Sequence, residues 1–135
     1  MRIFMSIALV LWLAGFAPAA EPGRSHTMTP AMRSQHNSMS VMNKQWAVCK
    51  KCVEAGDFAA AAASLERMQK AAGDLEKFKL HKNSELTENF KEQANNFRKN
   101  LAELGKAIKD KDMARTQSIS STIDNSCVQC HTVFR

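Results

Sequence analysis

The stretch SELTENFKEQANNFRKNLAELGKAIK, residues 84–109, decides the fold. Leu86, Phe90, Ala94, Phe97, Leu101, Leu104 and Ile108 recur in it at steps of three and four residues. That spacing predicts an amphipathic helix with a narrow apolar stripe and its charges on the opposite face. A helix of this length gains most of its stability by burying such a stripe against partners. The rest of the chain must therefore supply other helices.

Working outward, residues before the stripe repeat the pattern. Phe58, Ala61, Leu65, Met68, Ala72 and Leu75 predict a second helix that ends near Phe78. Gly56 reads as the stop of the helix before it, and Asp57 as the N-cap of the second. The polar turn His81-Lys82-Asn83-Ser84 follows, with Asn83 or Ser84 as the expected cap of helix three. Helix one is expected over Ala31–Ala55, where Met32, His36, Met39, Met42 or Asn43, and Trp46 recur at helical spacing. Beyond the stripe, Lys109-Asp110-Lys111-Asp112 is a turn. Met113, Thr116, Ile119 or Ser120, Ile123, Cys127, Cys130 and Phe134 then mark a fourth helix. The chain has no Tyr, and its three prolines all stand at or before Pro30. The expected fold class is all-α, an antiparallel up-down-up-down four-helix bundle. In that order the start of helix one lies beside the close of helix four.

Helix four closes on Cys127-Val128-Gln129-Cys130-His131. Cys-x-x-Cys-His is the attachment signature of a c-type haem. Positions i, i+3 and i+4 share one helix face. Cys127 and Cys130 could thus form two thioethers while His131 reaches the iron from the same side. The plain alternative is a cysteine pair at a helix end followed by an incidental surface His. The expectation is one covalent haem c, forming part of the core at that end of the bundle.

The other end of the chain points the same way. Arg2 precedes an apolar run from Ile3 to Phe16, and Ala17-Pro18-Ala19 has the form of a cleavage site. This pattern predicts a removable secretory leader over 1–19, too short and wrongly flanked for a stable membrane span. Residues 20–30 read as a flexible lead-in, and 31–135 as the helical domain. An exported, periplasmic protein is the expectation, in the compartment where c-type haem is attached. The formal net charge is +6, of which Arg2 would leave with the leader. A diffuse basic excess fits solubility or an acidic redox partner protein. No basic run is interleaved with aromatics, so nucleic acid is not an expected partner.

Cys49-Lys50-Lys51-Cys52 is half of a haem site, with Val53 where the ligand would stand. Cys49 lies about 15 Å along the helix from Met39, which separates the pair from the expected haem. In an oxidising compartment such a pair would be bridged or oxidised, though a bond within one helical turn is strained. A zinc site made from all four cysteines would require both ends of the bundle to meet. His26 and His81 fall in expected loops and read as solvated. Ser118, Ser120 and Ser121 read as small residues at a helix contact, and Asp110 and Asp112 as turn and cap residues. Nothing here forms a hydrolytic constellation, and an enzyme is not expected.

The haem motif on the last of four helices, closed by Phe134 and Arg135, resembles that of the cytochrome c′ family and its low-spin relatives. The Gly56-Asp57-Phe58 turn is similar to theirs. The resemblance implies His131 as the proximal iron ligand. It implies roles near the haem for Arg135 and for Arg33, whose plain reading is a solvated charge. It further suggests a homodimer through the first two helices. Members of the family either leave the sixth iron position open to nitric oxide or carbon monoxide, or fill it with a Met of helix one and carry electrons. Counting back from Gly56-Asp57, the equivalent position falls at or beside Met39. Met32 and His36 lie on the same stripe as rivals, and a Met stripe is also ordinary core. Three functions follow as expectations: an electron-carrying cytochrome, a small-gas-binding haem protein, and a haem-free thiol protein.

Overall fold

The computed structural model describes residues 28–135. The expected leader and most of the lead-in lie outside the described residues. Within them the chain forms α1 (Pro30–Glu54), α2 (Phe58–Ala71), α3 (Thr87–Lys109) and α4 (Met113–Phe134). Single 3₁₀ turns stand at Leu75–Lys77 and Ser84–Leu86 between α2 and α3. There is no strand among the described residues.

The helix ends follow from local chemistry. Thr29 caps α1 by accepting from the Met32 N–H at 3.2 Å, and Pro30 occupies the first turn, where no N–H is needed. Gly56, at φ 74°, provides the left-handed step that ends α1. Asp57 then accepts from the Ala60 N–H at 2.9 Å and opens α2. Asp112 does the same for α4 through the Arg115 N–H at 3.0 Å.

Two expected boundaries are corrected. α2 stops at Ala71, not near Phe78. Gly73 and Asp74 are poor helix interior residues, and the chain tightens into the 3₁₀ turn. Leu75 still reaches the core from that turn, which is why the apolar spacing ran on past the helix end. Neither Asn83 nor Ser84 caps α3 with its side chain. Asn83 takes a left-handed backbone, φ 53°, and its amide donates to the Val133 carbonyl at 2.6 Å. It ties the α2–α3 connection to the end of α4.

The stripe of α3 is buried from Phe90 through Ile108, joined by Ala107, while Leu86 is exposed. Against it pack Leu65 and Met68 of α2, Met42, Trp46, Cys49 and Val53 of α1, and Ile123 and Phe134 of α4. Each large apolar side chain so placed contributes roughly 1.5–3 kcal/mol. α1 runs closely along α2, and α3 along α4; α1 and α4 touch far less. Among the described residues no helix is long and apolar enough to cross a membrane.

Candidate functional site

The sparse contact between α1 and α4 leaves two adjoining cavities. The first, about 420 Å³, is walled by Met39, Met42 and Trp46 of α1, Met68, Leu75, and Phe97 of α3. Cys127, Cys130 and His131 close it from α4. The second, about 600 Å³, lies toward the start of α1 and the end of α4. His36, Lys79, His81, His131 and Arg135 are its basic lining, and no Asp or Glu borders it. Met39, Asn43, Cys130 and His131 border both. Both volumes fall within the range of small-molecule and cofactor pockets.

The sequence-derived residues separate on this geometry. Cys127, Cys130, His131 and Met39 come together around the first cavity. His36 and Arg135 border only the second. Met32 and Arg33 line neither, and Arg33 is exposed on α1.

The end of α4 is held from two sides. Phe134 packs edge-on against Phe90, ring centres 5.3 Å apart, and Asn83 holds the Val133 carbonyl. Gln35 of α1 donates to the Lys79 carbonyl at 3.1 Å, which brings the 78–83 segment over the same end. The half-buried thiols of Cys127 and Cys130 are free. Burial pushes the Cys127 thiol up; the Asp124 charge adds to this and Lys50 opposes it. Burial, then the neighbouring Cys127, pushes up Cys130. Both sulfurs are therefore protonated at neutral pH. Two thiols and an imidazole within one turn, beside an apolar cavity, can hold an apolar prosthetic group covalently and present a nitrogen to it.

The second cysteine pair lies outside both cavities, but it is nearer the first pair than spacing along α1 alone suggested: Lys50, between Cys49 and Cys52, reaches Asp124, one turn before Cys127. Cys49 is fully buried in the core and its thiol is pushed up to about 11 by burial, then by Cys52. Neither Cys49 nor Cys52 lines either of these two cavities. Cys49 packs as a small apolar residue. Among the described residues no three His, Cys, Asp or Glu side chains gather as a metal-ion site.

Several residues of the site were not singled out in the sequence. His81 stands in a loop and is exposed, as its surroundings suggested, but its ring lies 5.8 Å from that of His36 on the second cavity. Trp46 is a cavity wall as well as core. Asp124 accepts from the Trp46 indole N–H at 2.7 Å and from Lys50 Nζ at 2.9 Å. A signal for Asp124 did exist: it is the only acidic residue of α4, one turn before Cys127. No family model, no curated protein and no solved structure matches the chain.

Proposed function

We propose that this chain is an exported monohaem c-type cytochrome, similar to the low-spin cytochromes c′, that carries electrons. The observation carrying this is the apolar cavity bordered at once by Cys127, Cys130, His131 and Met39. Its walls suit a large flat apolar group, and its donors suit covalent attachment. Cys127 and Cys130 would hold haem c by thioethers, and His131 would ligate the iron. Met39, which borders both cavities, is favoured over His36 and Met32 as sixth ligand. The bound haem would supply one-electron iron chemistry. Met42, Trp46, Met68 and Phe97, which line the cavity, would keep water from the group held there, and a thioether ligand would raise the potential.

The helix order belongs to the same proposal. Trp46 and Lys50 reach Asp124, whereas the earlier Gln35 lies beside the segment tied to Val133. Glu103 pairs with Arg115 at 2.7 Å while Phe90 meets Phe134. Gln69 donates to the Leu101 carbonyl at 3.1 Å. These pairings support an antiparallel up-down-up-down bundle with the haem at the end formed by early α1 and late α4. Export to the periplasm follows from the need to attach the haem there. An acidic redox partner would match the basic excess.

A visible spectrum of the purified exported protein tests the proposal. A sharp low-spin spectrum in the reduced state supports it; no haem band contradicts it. Gas binding is the second reading, favoured by the half-buried position of Met39 between two cavities. A high-spin spectrum that shifts on adding carbon monoxide would select it.

A further inference from the structure

α1 and α4 supply two facing walls of the haem cleft proposed above, yet they are the least intimately packed neighbours in the ring of helices. Among the described residues, one cluster supplies all the side-chain hydrogen bonds between them. Asp124 Oδ1 accepts from Trp46 Nε1 at 2.7 Å and from Lys50 Nζ at 2.9 Å, and Oδ2 accepts from Lys50 Nζ at 3.1 Å. The Lys50 ammonium also lies over the Trp46 ring, 5.2 Å from its centre. Trp46 is 6% exposed, and its ring walls the first cavity. Asp124 stands one turn before Cys127 on α4, and Trp46 two turns after Met39 on α1.

We infer that Asp124 is a positioning residue of the haem site: by gripping Trp46 and Lys50 it sets the distance between the Met39 wall and the Cys127–Cys130–His131 wall. The inference rests on the haem assignment. Its physical basis is a difference in what each contact constrains. The apolar seams α1–α2 and α3–α4 fix each helix pair and α2–α3 joins the pairs on one side, which leaves the gap between α1 and α4 to few contacts. A buried indole N–H admits few acceptor positions, so the Trp46–Asp124 bond fixes both the ring and the gap. Lys50 balances the carboxylate charge and shields the bond from the solvent side. Asp124 touches no atom that would bind iron and acts through Trp46 and through helix spacing. Outer-shell groups of this kind shift metal-site properties by about 10–100-fold when removed.

The test uses the intact haem-bearing protein, with spin state, reduction potential and the rate of carbon monoxide binding as readouts. Asp124→Ala is expected to weaken the sixth ligation. Its high-spin fraction should rise, its potential should shift, and carbon monoxide should bind about tenfold faster or more. Trp46→Phe keeps an aromatic side chain, smaller than the indole, and removes the donor; it should move the same readouts in the same direction. The double variant should add little to either, because the two act through one contact. Asp124→Asn retains an acceptor for the indole and should stay near wild type. If Asp124→Ala does not fold, Trp46→Phe carries the test alone. A haem-stained Asp124→Ala, or Trp46→Phe in its place, with wild-type spectrum, potential and gas-binding rate would overturn the inference, whatever its melting temperature. A wild type lacking haem would overturn the haem assignment itself, and this role of Asp124 with it.

Discussion

Asp124 and Met39 carry different predictions because they do different things. Burial works against the Asp124 charge, but the bonds from Trp46 and Lys50, with the Lys50 charge, outweigh it and hold the carboxyl below the usual range. A carboxyl whose folded pKa is depressed stabilises fully above its unfolded value, about 3.9. That contribution is lost as pH falls through the lowered folded value. The stability gap between wild type and Asp124→Ala should therefore be flat from neutral pH down to about 5 and should close only in stronger acid. Because Asp124 is half exposed, salt screening should narrow the gap. Denaturant melts of both proteins across pH check this, and a gap that closed near pH 6 would contradict it. Met39 is tested by ligation. On the proposed haem ligation, Met39→Ala should move the iron from low toward high spin and lower the potential as the thioether ligand is lost. His36→Ala and Met32→Ala should leave the spin state unchanged. A spin change in His36→Ala alone would transfer the sixth position to that residue.

At the scale of elements, the α3 stripe is the feature most plainly legible in the sequence. Charged and apolar residues alternate there with little ambiguity, and Phe97 and Leu101 are buried where the spacing put them while Lys99 is exposed. Leu101→Asp should cost several kcal/mol, since it places an unpaired charge in the core, whereas Lys99→Asp should cost little. Equal losses of melting temperature would contradict that placement. Gly105 is a sharper case. It lies inside α3, and an added Cβ would meet Leu65 Cδ2 at 3.6 Å, an ordinary contact. Gly105→Ala should therefore stabilise by about 0.5–1 kcal/mol, through helix propensity and a less free unfolded chain. Chemical denaturation would show the midpoint rising. What the sequence hid was where periodicity outlasts the helix. Leu75 kept its place in the apolar rhythm although the helix had already ended at Ala71. Asn83 has the composition of a cap but is spent on a contact 50 residues away, and local spacing carries no trace of such a bond.

For the whole molecule, the packing divides into two helix pairs, with the candidate site between them. Cys127, Cys130 and His131 could be picked out as candidates because the proposed attachment chemistry requires fixed neighbours in sequence, and all three border the first cavity. Met39 was legible only as one member of a stripe with Met32 and His36, because register along a helix does not say which turn meets a cavity. Asp124, Trp46 and Lys50 escaped the motif because their relation is purely spatial. The most direct measurement is a haem-stained denaturing gel of the exported protein beside Cys127→Ala, Cys130→Ala, Cys49→Ala and Cys52→Ala. Wild type and the two α1 variants should keep the stain through denaturation, whereas Cys127→Ala and Cys130→Ala should lose stable attachment. An unstained wild type, or stain lost from Cys49→Ala and kept in Cys127→Ala, would contradict a haem carried on the last turn of α4.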